Sequence, residues 1–275
     1  MLIIDTHAHI YGEDEKRYPP IDKPLRPPGG KGTLGDLRAT SASHGVRAAC
    51  LIQVSTFYRF DNRYVCDCAK VSSDWAAGVC TLDPDDPHSP ELLSHFKREF
   101  GIKGVRSIPG QSGRIDAQGV RSLWKKAADE NIVVNALIHR ENAENLGRLL
   151  ADFPGLRVVF DHCMYPEIGP HYDAILNDVL RLARFKNLHA KLSFVPMGTK
   201  QKYPCADMHD AVMKIVQAFG ADRCVWGSDF PSELWTPGMS YSQHLQIFLN
   251  EIPFGDQTRQ KILGLTAKKL WFPEL

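Results

Sequence analysis

The sequence predicts a single-domain α/β protein, a (β/α)₈ TIM barrel covering residues 1–275. Three observations carry this expectation. Eight short β-rich apolar runs recur along the chain, amphipathic stretches separate them, and the length suits one closed barrel. The candidate strands are Leu2–His7, Val46–Val54, Trp75–Leu82, Ile102–Ile108, Ile132–Ile138, Arg157–Asp161, Leu188–Ser193 and Arg223–Gly227. Between them, Gln118–Glu130 gathers Val120, Leu123, Trp124 and Ala127 on one helical face, and Glu141–Phe153 does the same with Leu146, Leu149, Leu150 and Phe153. Strands alternating with helices imply right-handed crossovers and a parallel sheet. Gln257–Leu270 reads as a C-terminal helix that closes the barrel.

The loops are asymmetric. Links from helix back to strand are turn-like, as at His44-Gly45, Glu130-Asn131 and Phe153-Pro154-Gly155. Three links leaving strands are longer: Ile10–Gly32, Phe194–Asp207 and Phe230–Ser240. In a barrel these lie over the C-terminal face, where substrates bind. Residues 10–32 hold five prolines and four glycines with Tyr11, Arg17 and Tyr18, and are expected to form an active-site lid.

Composition narrows the partner. With 33 basic and 32 acidic residues the net charge is +1, which gives no electrostatic reason to bind nucleic acid or an anionic membrane surface. No apolar run approaches the ~20 residues that span a bilayer. Met1-Leu2-Ile3-Ile4 enters the first motif directly, so a cytoplasmic protein acting on a small molecule is expected. Association into a homo-oligomer is left open. The seven cysteines are scattered without C-x-x-C spacing and read as reduced, structural thiols.

The chemistry concentrates at strand ends. In Asp5-Thr6-His7-Ala8-His9 the two histidines are two apart, so on a strand they project to one face as a pair of imidazole ligands. By the same alternation Asp5 falls on that face one layer deeper. His139 ends the fifth apolar run and His162 the sixth. Asp229, in Trp226-Gly227-Ser228-Asp229-Phe230-Pro231, follows the eighth. A carboxylate beside imidazoles can ligate a metal, orient water or take its proton. Arg106, at the tip of strand 4, is the candidate grip for a substrate carboxylate, with a salt bridge to an acidic neighbour as the plainer alternative. Tyr11, Arg59 and Arg140 stand at other strand exits as candidate substrate contacts. Lys191, inside strand 7, reads as a buried paired cation.

This order of residues resembles the amidohydrolase superfamily, in its branch of lactonases and decarboxylases that includes the 2-pyrone-4,6-dicarboxylate lactonases and sugar lactonases. The likeness extends to Gly104-Val105-Arg106, Asp161-His162 and Lys191-Leu192-Ser193. The resemblance implies His7, His9, His139 and Asp229 as ligands of one divalent ion, with Zn²⁺ the expected metal for three imidazoles and a carboxylate. It implies His162 as the histidine that polarises the substrate. Strand 4 ends Val105-Arg106-Ser107-Ile108, without the lysine or glutamate that bridges two metals, so a binuclear site is not expected. Strand 6 ends Asp161-His162-Cys163-Met164, where the lactonases read Asp-His-x-Gly, so Met164 replaces the glycine. Some lactonases of this branch work without metal, so the resemblance leaves metal dependence open. The expected activity is a lactonase that opens a sugar lactone or dicarboxylate lactone, with Asp229 and His162 catalytic. Metal-dependent non-oxidative decarboxylation is the alternative, and a non-catalytic small-molecule-binding barrel the remote one.

Overall fold

The computed structural model describes residues 1–275. Eight parallel strands pair in sequence order: β1 (Ile4–Ala8), β2 (Ala48–Ile52), β3 (Ala76–Thr81), β4 (Gly104–Ser107), β5 (Val133–Ala136), β6 (Val158–Phe160), β7 (Leu188–Lys191) and β8 (Cys224–Val225). The sheet closes between β8 and β1. Thr6 N donates to Trp226 O (3.2 Å), Asp229 N to His7 O (2.8 Å) and His9 N to Phe230 O (2.7 Å). The crossovers are α1 (Leu34–Ser43), α2 (Arg63–Val71), α3 (Ser89–Phe100), α4 (Gln118–Asp129), α5 (Ala143–Asp152), α6 (Tyr172–Leu182) and α7 (His209–Phe219), with α8 (Tyr241–Gln246) after β8. The expected barrel is borne out, though its strands are shorter than the apolar runs.

Two layers of packing follow from strand alternation. Outward side chains such as Ala49, Leu51 and Val105 join the large core beneath the helices. Inward ones, among them Ile4, Cys50, Val79, Val133, Val159 and Val225, fill the lower barrel. The C-terminal run Asp256–Trp271 is helical throughout, with a wider turn over Lys261–Leu265. Its Leu270 and Trp271 seal the barrel from below. All seven cysteines are buried and unpaired. No helix is long and apolar enough to cross a membrane.

A bulge in β1 decides what the barrel presents upward. Asp5 pairs with Ala49 and Ala8 with Leu51, so three steps on β1 match two on β2. The extra residue reverses the alternation. Ile4 and His7 face inward, and Asp5 faces out with Ala49. The expectation that Asp5 lies beneath His7 on the same face is therefore corrected. Asp5 instead accepts hydrogen bonds from Ser228 N (2.9 Å), Ser228 Oγ (2.6 Å), Tyr241 Oη (3.2 Å) and His7 N (3.1 Å). It braces the β1–β8 seam and holds the residue just before Asp229.

Candidate active site at the C-terminal mouth

Above the apolar floor, Arg106 of β4, Asn135 of β5, Lys191 of β7 and Asp161 just past the end of β6 meet inside the barrel, all buried. Asp161 is shared. Lys191 Nζ lies 2.7 Å from its Oδ1 and Arg106 Nε 3.2 Å from its Oδ2, while Asn135 Nδ2 donates at 3.2 Å. Burial pushes the Asp161 carboxyl up, but Lys191 and Arg106 outweigh it and hold the group at about 2. Lys191 is thus the buried paired cation that its strand position suggests, seated 5.9 Å above the Trp271 ring.

His7, His9 and Asp229 converge on top of this layer. His7 Nε2 is 3.3 Å from His9 Nε2 and 3.4 Å from Asp229 Oδ1, and His9 Nε2 is 3.6 Å from the same oxygen. Gly227 permits the approach, because a Cβ there would stand 2.7 Å from His7 Cβ and 2.9 Å from His7 N. Asp229 adopts a left-handed backbone, φ 56°, at a cost of roughly 1–2 kcal/mol. The bonds of Asp5 to Ser228 and of Asp229 N to His7 O hold it there.

The neutral state of the two histidines suits ligation. Burial, reinforced by Arg106, lowers His9 to about 3; burial and Lys191 lower His7 well below its ordinary value. His162 falls for the same first reason. Burial pushes Asp229 up to about 7, against the pull of Arg106. His9 Nδ1 donates to Ile52 O (2.9 Å), which leaves the Nε2 lone pair aimed at Asp229. His7 is contested: Lys191 Nζ faces its Nδ1 at 3.2 Å and Arg106 Nη2 its Nε2 at 3.1 Å, and a neutral ring has one lone pair for two donors.

The three donor atoms fit a divalent ion in kind and spacing. Bonds of ~2.0–2.1 Å in tetrahedral array set ligand atoms about 3.4 Å apart, close to the 3.3, 3.4 and 3.6 Å found here. An ion would take the His7 lone pair that Arg106 addresses.

The structure does not bring His139 to this group. β5 ends at Ala136, the chain turns out at Arg140–Asn142, and His139 is exposed with its ring stacked on Tyr165 (5.3 Å). The sequence reading carried strand 5 two residues too far, and alternation no longer holds where the strand has stopped. His162 does lie at the centre, 4.5 Å from the His7 ring, with Nδ1 2.8 Å from Ser193 Oγ and its other neighbour Tyr165 stacked at 4.8 Å. It opens a turn of four left-handed residues, His162 to Tyr165, with φ from 49° to 62°. Met164 sits there at φ 62°, a conformation that glycine adopts without strain.

Of the expected substrate contacts, Arg106 reaches the triad while also forming the salt bridge to Asp161. Tyr11 is buried near Asp229. Arg59 is exposed over Phe60, and Arg140 pairs with Asp178 at 2.9 Å beside a cavity of about 910 Å³ that also takes in His139 and Tyr165. Residues 10–32 close on themselves through Tyr11 N to Gly32 O (2.9 Å). They lean on the segment after β2 through Gly12 N to Tyr58 Oη (2.7 Å) and Ile21 N to Phe57 O (2.8 Å). Asn135, Tyr165 and Trp235 were not singled out from sequence, and Ser193 entered only within Lys191-Leu192-Ser193. Asn135 carried a usable signal, as a lone polar residue inside an apolar strand.

A parallel barrel with a His-His-Asp group at its C-terminal mouth places three possible metal ligands where barrel enzymes build their active sites. The Amidohydrolase family profile matches residues 4–272, and the chain belongs to that family. It is 25% identical over 236 residues to the L-fucono-1,5-lactonase of Burkholderia ambifaria, covering 83% of this chain and 80% of that one. Its fold matches a Pseudomonas putida structure assigned as a 2-pyrone-4,6-dicarboxylic acid hydrolase, with TM-score 0.82, 24% identity and coverage of 100% and 98%. It also matches a zinc-bound amidohydrolase of Burkholderia multivorans, with TM-score 0.79, 18% identity and coverage of 98% and 99%. These two likenesses carry the fold alone.

Proposed function

We propose that the protein is a lactonase, which opens a small cyclic ester by activated water. The observation that carries this is the placement of Asp229 against two neutral imidazoles, with Arg106 aimed at the same point. Ester hydrolysis needs a base for water and a donor for the carbonyl oxygen within one small space, and this cluster offers both. The lactonase relative in Burkholderia ambifaria supports the reading.

In this mechanism Asp229 accepts a proton from the attacking water as the new C–O bond forms at the carbonyl carbon. Arg106 and His162 donate to the developing oxyanion. With Ser193 Oγ donating to Nδ1, His162 carries its proton on Nε2 as a neutral donor. When the ring C–O bond breaks, Asp229 returns the proton to the leaving alkoxide, and the hydroxy acid loses one proton to solvent. His7, His9 and Asp229 would hold one divalent ion, Zn²⁺ by ligand type, and such an ion would polarise the carbonyl and acidify water. Residues 10–32 would cover the mouth, with Tyr11 on its inner side. Arg59 and Arg140 would meet substrate only at the periphery. A small molecule, a sugar lactone or a dicarboxylate lactone, is the partner in this reading, and the cytoplasm its setting.

Metal analysis of purified protein, followed by chelation and lactone turnover, tests the ion's part. About one equivalent of divalent metal is expected, with turnover lost on chelation. Undiminished turnover in metal-free protein would remove the ion and leave Arg106 and His162 as the polarising groups.

A further inference from the structure

His162 stands on a strained turn that returns one aromatic ring over another. His162, Cys163, Met164 and Tyr165 are all left-handed, with φ of 53°, 49°, 62° and 55°. None of the four is glycine, and such backbone persists only where its surroundings hold it. Tyr165 N donates to His162 O at 2.9 Å, so the chain curls back on itself. The Tyr165 ring then lies 4.8 Å from the His162 ring and 20° from parallel. A second histidine stacks on Tyr165 from the segment after β5: His139 is 5.3 Å away and 25° from parallel. That segment is itself anchored. Arg140 Nε reaches Asp178 of α6 at 2.9 Å, and Asn142 Oδ1 accepts from Ile115 N at 2.8 Å.

The other contacts of His162 leave its plane unset. Ser193 Oγ lies 2.8 Å from Nδ1, and the His7 ring is 4.5 Å away but tilted by 54°. A hydrogen bond at one nitrogen holds a point on the ring and lets the ring tilt about that point, whereas a parallel aromatic face fixes the plane. Burial keeps both partners of this stack neutral: it lowers His162 and pushes the Tyr165 phenol up, against the pull of Arg106. We propose that Tyr165, backed by His139, is a positioning residue that holds the plane of the His162 imidazole and so aims its Nε2–H at the substrate. His139, which the resemblance would make a metal ligand, serves His162 through Tyr165 instead. The use of that N–H on an ester rests on the lactonase reading above; the fixed plane of the ring does not.

The test uses the whole protein with Tyr165→Phe, which keeps the ring, Tyr165→Leu, which removes it, and His139→Leu, which removes the exposed backing ring. Long-range proton–nitrogen NMR spectra read the tautomer of His162, its signals assigned by their absence from His162→Gln. Wild type and Tyr165→Phe should show the Nε2–H tautomer alone. Tyr165→Leu should show a mixture as the ring tilts off Ser193, and His139→Leu a smaller admixture. On sugar and dicarboxylate lactones, Tyr165→Leu should lose about tenfold in kcat, the worth of one stacked pair, with KM changed by less than about twofold. Tyr165→Phe should recover most of that rate, and His139→Leu should lose about threefold. If wild type turns over no lactone while the spectra still separate Tyr165→Leu from Tyr165→Phe, the positioning role stands and the hydrolytic reading falls. If Tyr165→Leu does not fold, His139→Leu decides by the same spectrum. A pure tautomer in the Leu variants, or a loss in Tyr165→Phe equal to that in Tyr165→Leu, would overturn the proposal.

Discussion

Asp229 and His139 are the two residues whose roles separate most cleanly. Asp229 touches both imidazoles, and its replacement by Asn keeps shape while removing the proton acceptor. Turnover of Asp229→Asn should fall by roughly 10² or more. Near-normal turnover would give the proton to another group. His139 stands outside the group, stacked on Tyr165. His139→Gln should retain the wild-type metal content, whereas His9→Gln should lose most of it. Equal loss in both, read by elemental analysis, would return His139 to the ligand set. His7, His9 and Asp229 were legible in sequence because pairing two apart on a strand and position past a strand end survive small errors in strand length. His139 and Asp5 were not. One depends on where β5 stops, the other on a bulge, and neither leaves a mark in an apolar run.

At the scale of elements, the β1–β8 seam carries the site, and two changes probe it. Gly227→Ala would place a methyl against His7 backbone, which cannot rotate away. A loss of about 1–3 kcal/mol is expected by denaturation, with turnover lost in parallel. Unchanged stability would mean that the seam has slack. The second probe is His244 on α8, fully buried, whose Nδ1 donates to Ser228 O at 3.0 Å. Burial lowers it from 6.5 to about 4. Between these values the unfolded chain binds a proton that the folded one refuses. The contribution is therefore intact above pH 6.5 and lost as pH falls towards 4. From pH 7 to pH 5, His244→Asn should lose about 2 kcal/mol less stability than wild type. Parallel pH–stability curves for the two proteins would contradict this.

For the whole molecule, the barrel is closed at one end by side chains and left polar at the other. Trp271 is the floor, under Lys191 and against the lower strands. Trp271→Ala should cost about 3–5 kcal/mol in global stability. The count and order of strands were readable from eight apolar runs and turn-like returns. The polar layer as a whole was not, although Lys191 reads as a buried paired cation, Arg106 and Asn135 interrupt apolar strands, and Asp161 follows one. A single polar residue in one strand reads as an exception, and only closure of the barrel sets four of them face to face. That layer holds His7 and the triad in the positions that the proposed hydrolysis needs. The measurement that tests this most directly is a pH-indicator assay of purified protein over aldonolactones and dicarboxylate lactones. Carbon dioxide detection on aromatic and unsaturated acids runs beside it. Hydrolysis predicts one proton released per lactone consumed, abolished in Asp229→Asn, with no carbon dioxide. Carbon dioxide from an acid, with no acidification from any lactone, would contradict it.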